Sequence, residues 1–264
     1  MKTLLICHED AEINRYGLAR WLASFSQLTG VVLLREPRGR FWKRTKRELR
    51  RLGPLRFLDM AAFRLYYRFF LAEADHRWQQ EVLEDLTRRY PDLPAELPLL
   101  ITPSPNSRDA EEFIKACVPD LVLARCKSLL SERIFSIPPR GTVVMHPGIC
   151  PEYRNAHGCF WALAQDDPAH VGMTLLRIDR GVDTGPIFGH YSYPFDELAE
   201  SHIVIQHKTV LENLPALREK LLEIYRGTAT PIDVSGRPSH EWGQPWLTAY
   251  LHWKRAAKRR ARCA

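Results

Sequence analysis

His146 and Asp183 are the residues whose types and spacing best suit proton-transfer chemistry. A β-branched run at residues 142–144 predicts a buried strand that ends at His146. A second apolar run, residues 172–178, predicts a strand that leads into a glycine-rich turn carrying Asp183. If the two strand ends meet, the carboxylate can orient the imidazole, which is a common arrangement in general acid–base catalysis. The structural alternatives are a core histidine that caps a strand and an aspartate that only shapes a turn.

The elements that must position this pair form an alternating pattern. Short apolar runs are separated by stretches with helical periodicity, which predicts an α/β fold with an open, mainly parallel, Rossmann-like sheet. Ligands of such sheets bind beyond the carboxyl ends of the strands, where His146 is placed. The predicted strands before His146 are 3–7, 30–34, 98–102, 120–124 and 142–145, with helices at 16–25 and 108–117.

We predict an α/β domain over residues 1–195, with a helical insertion at about 36–90, and a C-terminal part, 196–264, packed on the same domain. The C-terminal part is predicted as a helical strap, interrupted near Pro215, and a basic tail. The insertion begins with a basic run and continues with aromatic residues at helical spacing over 57–71. We favour a helical lid for it. Contact of 36–71 with an anionic membrane surface is the alternative.

Composition limits the class of protein. The 264 residues carry a net charge of +7. This charge favours an anionic partner such as a nucleotide, a polyglutamylated folate, nucleic acid or acidic lipid. The alternative is that a mild basic excess has no functional meaning, as in many proteins. No signal peptide and no apolar stretch long enough to span a membrane is expected. Six cysteines without a secretory signal predict reduced thiols and a cytoplasmic protein. Whether the protein forms homo-oligomers stays open.

The segment around the pair carries a longer pattern, VMHPGICPEYRN over residues 144–155 and DTG over 183–185. It resembles the folate-dependent formyltransferase superfamily, which includes methionyl-tRNA, glycinamide ribonucleotide and sugar-amine formyltransferases and formyltetrahydrofolate deformylase. The family pattern is N-x-H-x-S-x-x-P-x-Y-R-G followed by D-x-G. The sequence departs from it at Val144, Gly148 and Asn155. The matching residues are His146, Pro151, Tyr153, Arg154, Asp183 and Gly185.

This resemblance implies the formyltransferase fold and transfer of a formyl group from 10-formyltetrahydrofolate to a primary amine. By the same resemblance, His146 is the acid–base group and oxyanion partner, and Asp183 tunes it. The implied folate contacts are Arg125, Cys126, Leu129, Asp179, Gly181 and Val182. Tyr153, Arg154 and Asn155 are implied to shape the loop or to contact the substrate.

Val144 stands where the family has an asparagine that donates to the formyl carbonyl. Loss of one such donor typically costs about 2.7–4 kcal/mol in the transition state. Three hypotheses follow. Another donor replaces the asparagine, with Asn155, Arg125, Lys127 or a backbone N–H as candidates. Alternatively, the site uses a different acyl donor or water as acceptor, or the protein has kept the fold and lost the activity.

The predicted acceptor is a small anionic amine, such as an amino sugar carried on a nucleotide or lipid. We do not expect nucleic acid as a substrate, because the segment after the core looks short for the tRNA-binding barrel of methionyl-tRNA formyltransferases. A formyltetrahydrofolate hydrolase and a catalytically impaired folate-binding homologue are the alternatives. No metal is predicted, although His146, Cys150, His157 and Cys159 offer ligand types that suit zinc.

Overall fold

The computed structural model describes residues 1–35 and 40–263, and the side chains of these residues except 40–49 and 51. Its centre is a seven-stranded sheet in the order β3-β2-β1-β4-β5-β7-β8, and β6 and β9 pair separately. The strands are β1 Lys2–His8, β2 Gln27–Leu34, β3 Leu99–Thr102, β4 Leu121–Arg125, β5 Thr142–His146, β6 Arg154–Asn155, β7 Met173–Arg177, β8 Ile187–Tyr191 and β9 Glu241–Trp242.

The sheet is parallel from β3 to β5 and antiparallel from β5 to β8. Its central strands are covered on both faces, and Leu4, Leu5 and Ile6 of β1 are fully buried. This explains why the strands are continuous apolar runs rather than alternating ones. The predicted α/β class with a mainly parallel sheet is confirmed, and β5 delivers His146 to the carboxyl edge of its parallel part.

Helices connect the strands and cover both faces. A π-helical turn, Ile13–Leu18, continues directly into α1. The α-helices are α1 Ala19–Ala23, α2 Arg40–Phe70, α3 Ala72–Arg89, α4 Arg108–Cys117, α5 Glu132–Phe135, α6 Gly158–Ala164, α7 His202–Leu211, α8 Leu214–Arg226 and α9 Leu247–Cys263.

The predicted insertion is the pair of helices α2 and α3. Helix α2 is interrupted at Gly53, whose φ of 76° leaves helical space, and Pro54 starts the second half, where a missing N–H is tolerated. Met60 and Phe63 of this half are buried against the body of the protein. Of the basic run predicted in this insertion, residues 36–39 lie outside the described residues, as do the side chains of 40–49 and 51.

The C-terminal part packs on one face of the sheet and on helix α6. Leu217 and Leu221 of α8 are buried in the cluster beneath the sheet, and Trp253 of α9 is buried against α6. The helical strap predicted after residue 195 begins with two helices, because the chain turns at residues 212–213 and Pro215 lies in the first turn of α8. The domain boundary near residue 195 stays a prediction. No helix among the described residues is long and apolar enough to span a membrane.

Candidate active site

His146 and Asp183 meet at the end of β5. Nδ1 of His146 lies 3.3 Å from Oδ2 of Asp183. The carboxylate is held in turn by the backbone N–H of Asn155, which donates to Oδ2 at 2.8 Å. Asp183 adopts a left-handed backbone conformation with φ of 52°, which Asp tolerates better than most residues and which lets the turn aim its side chain at the strand end. The structure therefore brings together the two residues predicted to act as a pair.

The other ring nitrogen of His146 is also occupied. Nε2 lies 2.9 Å from the backbone carbonyl oxygen of Tyr153, which can only accept. Both nitrogens thus face acceptors, and a neutral imidazole has a single N–H. The ring is therefore fixed between the turn that carries Asp183 and the loop that carries Tyr153.

The close approach of the Tyr153 carbonyl explains why the family serine is replaced by Gly148. A Cβ at Gly148 would overlap that carbonyl oxygen and lie 2.8 Å from Nε2 of His146. Gly158 presses against Gly148 from the other side, since a Cβ there would overlap the Cα of Gly148. The loop after β5 is thus closed by two glycines in contact.

We expect Gly148→Ser to lower the free energy of unfolding by about 3 kcal/mol, because the new side chain must displace backbone and the imidazole. Chemical denaturation measured on the wild type and the variant checks this. Gly243→Ser is the matched control, since nothing lies within 4 Å of a Cβ at Gly243. A Gly148→Ser protein as stable as that control would contradict the close packing described for this loop.

Val144 forms part of an apolar wall on the same face of β5 as His146. It packs against the cluster of Cys150, Leu176 and Ile187, which Val234 also contacts. The family asparagine would place an amide among these groups, whereas the described residues offer it an apolar surface. Val144 therefore supplies no hydrogen-bond donor at this end of β5.

Arg125, the last residue of β4, contacts the strand that carries His146. Nη1 of Arg125 donates to the carbonyl of Met145, the residue before His146. Nε of Arg125 is buried and has no hydrogen-bond partner in the described part of the chain. Burial lowers the pKa of the guanidinium to about 10, so it stays protonated at neutral pH. The strand that carries His146 thus ends beside a guanidinium whose Nε–H has no partner among the described residues.

Comparison with known proteins gives the family. Residues 88–211 match the family model described as formyl transferase. Over this segment the chain is similar to the formyltransferase superfamily. A methionyl-tRNA formyltransferase of Thermus thermophilus is 28% identical over 66% of this chain and 72% of its own length. The predictions of the family and of a transferase-class enzyme are confirmed.

Solved structures share the fold across nearly the whole chain. A sugar N-formyltransferase from a Shewanella species aligns with a TM-score of 0.57 at 12% identity, covering 97% of this chain and 87% of that one. Glycinamide ribonucleotide transformylase 1 from Symbiobacterium toebii aligns with a TM-score of 0.54 at 15% identity, covering 91% and 93%. At these identities the likeness establishes the fold alone.

Among the residues that the formyltransferase pattern singled out, Tyr153 and Arg154 have structural partners. The Tyr153 side chain is buried, stacks on Trp242 and donates to Asp167 at 2.8 Å, so its backbone and not its ring meets His146. Arg154 donates to the carbonyl of Val182 at 2.7 Å, which ties the loop after β5 to the turn carrying Asp183. Their contact with substrate stays a prediction.

Asn155 stands where the family pattern has a glycine, and its backbone conformation suits either asparagine or glycine. Its φ of 78° is one that a glycine adopts readily, and asparagine is among the residues that tolerate it. Its side-chain amide donates to the carbonyl of Trp242 at 2.7 Å. Because that amide already has a partner, Asn155 is a poorer replacement for the missing donor than Arg125.

The predicted folate contacts lie on two sides of the pair. Cys126 and Leu129 follow β4, where Cys126 is directed to the carbonyl of Ser128 and Leu129 is exposed. On the other side, Oδ1 of Asp179 accepts from the N–H of Gly181 at 2.9 Å and closes the turn that presents Val182. The geometry is that of two loops flanking the end of β5. Their contact with folate stays a prediction.

The cysteines near the site have no nucleophilic or metal-binding setting. Cys159 is buried and directed to the carbonyl of Gly172 at 3.1 Å, and burial raises the pKa of its thiol to about 12. Burial likewise raises the pKa of the Cys150 thiol well above its usual range. In the part of the chain that the structure describes, no three His, Cys, Asp or Glu side chains gather as a metal site.

Sequence reasoning missed the segment that covers the site. Residues 228–246, here called the cover segment, run beside the loop that follows β5. Arg237 makes two hydrogen bonds of 2.8 Å to Glu152, and the N–H of Arg154 donates to the carbonyl of His240. The C-terminal part was predicted as a strap packed on the domain, but no local pattern indicated which surface this segment contacts.

Proposed function

We propose that this protein transfers a formyl group from 10-formyltetrahydrofolate to the primary amine of a small anionic acceptor such as an amino sugar. The observation that carries the proposal is the contact of His146 with Asp183 at the carboxyl end of β5. The match to the formyl transferase family model supports it, since the matched segment contains both residues.

Three groups divide the chemistry in this proposal. Attack of the amine on the formyl carbon builds negative charge on the carbonyl oxygen, and preorganised donors stabilise such charge most effectively. The Arg125 guanidinium is the donor for this oxygen and takes the place of the family asparagine. Proton loss from the amine follows: His146 accepts that proton, and Asp183 balances the imidazolium that forms. His146 then gives the proton to the folate nitrogen that leaves, which releases tetrahydrofolate.

Two cations, one at the end of β4 and one just after it, support an anionic acceptor. Neither Arg125 nor the ammonium of Lys127 has a carboxylate partner among the side chains that the structure describes. Burial and the nearby charge of Lys127 lower the pKa of His157 to about 4, so His157 is neutral at pH 7 and adds no charge. A carboxylate, phosphate or pyrophosphate on the acceptor would balance these cations. Arg125 is assigned to the formyl oxygen, which leaves Lys127 for the acceptor.

The test is calorimetric titration with a stable 10-formyltetrahydrofolate analogue, followed by turnover with and without an acceptor. We expect a dissociation constant on the order of micromolar and formyl transfer to a nucleotide-linked or lipid-linked amino sugar. Tetrahydrofolate release without any acceptor would favour the hydrolase instead. Binding without turnover for any amine, including glycinamide ribonucleotide and methionyl-tRNA, would favour the impaired homologue. Absence of analogue binding would overturn the proposal.

A further inference from the structure

The second half of α2 presents a row of large apolar side chains to solvent. Leu55, Leu58, Leu65 and Phe69 are 82%, 62%, 57% and 72% exposed. With Ala62 they recur at intervals of three and four residues, which places them on one stripe of a helix. Contiguous apolar surface of this kind marks an interaction site more often than scattered exposed leucines do. We call these five residues the α2 stripe.

The α2 stripe is separate from the face by which α2 packs on the protein. Met60 and Phe63 are buried on the other side of the helix, and the Phe63 ring lies 5.7 Å from that of Phe160 and 5.3 Å from that of Tyr250. The lid function predicted for this helix therefore needs only that inner face. It gives no reason for the outer side to be apolar.

Basic residues are frequent on the two helices of this region, α2 and α9. Arg68 is exposed in the same helical segment, and the sequence before it, from Arg38 to Arg56, is rich in arginine and lysine with Glu48 as its one acidic residue. Helix α9 packs beside α2, where the Tyr66 and Tyr250 rings are 5.3 Å apart. Its later turns are basic as well. The exposed cations there are Arg255, Lys258, Arg259 and Arg262.

We propose that the α2 stripe docks this protein on an anionic lipid surface, with the stripe in the acyl–headgroup boundary and the basic residues on the headgroups. An exposed apolar face beside a basic one is the combination by which interfacial helices bind such membranes. A second copy of the chain fits less well. A two-fold contact through this stripe would bring the same basic residues of both copies together.

The inference does not depend on formyl transfer, because the stripe lies on the side of α2 away from its packing face and includes none of the residues assigned to the chemistry. It has a consequence for that chemistry, however. Docking would hold the site near the bilayer, where an amino sugar carried on a lipid is concentrated. Membrane binding and transfer can therefore fail or succeed separately.

The experiment is co-sedimentation of the full chain with vesicles of phosphatidylcholine alone and of phosphatidylcholine with phosphatidylglycerol. We expect binding to the mixed vesicles that weakens with added salt, and weak binding to the neutral ones. Leu58→Ser combined with Leu65→Ser should lower partitioning on the order of tenfold, because these side chains supply the buried apolar area. Lys258→Gln combined with Arg259→Gln should lower it less and reduce the salt dependence.

Leu99→Ser combined with Val118→Ser is the matched control, because it removes two exposed apolar side chains from other elements. Circular dichroism and analogue binding verify that each variant is folded. Equal partitioning of the stripe variant and the control would overturn the proposal. So would a dimer, measured by light scattering, that the stripe variant dissociates while neither vesicle type binds, since the stripe would then be a contact between copies.

Discussion

Replacing His146 with alanine is expected to lower kcat for formyl transfer by about a hundred- to ten-thousand-fold, the range typical for loss of a positioned acid–base group. The ring is the acid–base group of the proposed function, and no other described imidazole lies against Asp183. Steady-state kinetics with the acceptor found in the transfer assay measures the effect. Binding of the folate analogue, followed by calorimetry, should change by no more than about threefold, since the ring acts on the transition state more than on the ground state.

Two further variants test whether the loss of kcat is specific to the His146–Asp183 pair. Asp183→Asn should retain the position of the ring through its amide but lose the charge that balances it, so kcat should fall and its pH dependence should change. His252→Ala removes an exposed histidine of α9 and should leave the kinetics unchanged. If His146→Ala kept more than about a tenth of wild-type kcat, the pair would be structural, and the assignment of chemistry to it would be wrong.

Replacing Arg125 with methionine is expected to lower kcat by about a hundred- to a thousand-fold, the effect of removing one oxyanion donor. Methionine fills the space of the arginine stem, so packing at the end of β4 is largely kept. The guanidinium is the group that compensates for Val144 in our proposal. Its loss should therefore appear in kcat, with a smaller change in the KM for the acceptor.

Arg125→Lys and Lys127→Met separate the possible roles of these cations. Lysine keeps the charge but not the planar fork, so Arg125→Lys should restore only part of the rate. Lys127→Met should instead raise the KM for the anionic acceptor, because its ammonium is assigned to ground-state binding. An Arg125→Met enzyme with unchanged kcat and a raised KM would move Arg125 to acceptor binding and leave the family asparagine without a replacement.

Local sequence was sufficient for the parts of the protein that depend on neighbouring residues. Continuous apolar runs predicted buried parallel strands, and the pattern around His146 and Asp183 predicted both the family and the pair that meets at 3.3 Å. The strands follow from the apolar periodicity of the sequence, and the pair follows from the residues at one strand end and in one turn. The division of the C-terminal helix was predicted near Pro215 for the same reason.

The sequence by itself thus determined the fold class, the resemblance to the formyltransferase superfamily and which histidine and aspartate meet. Only the tertiary structure decided which groups surround the positions where the sequence departs from the family pattern. The carbonyl of Tyr153 fills the space of the family serine, Arg125 of the neighbouring strand lies beside the catalytic one, and the cover segment reaches Glu152 from Arg237. It also decided which face of α2 stays exposed. Such contacts join residues far apart in the chain, and no local pattern specifies which distant surfaces meet when the apolar area is buried.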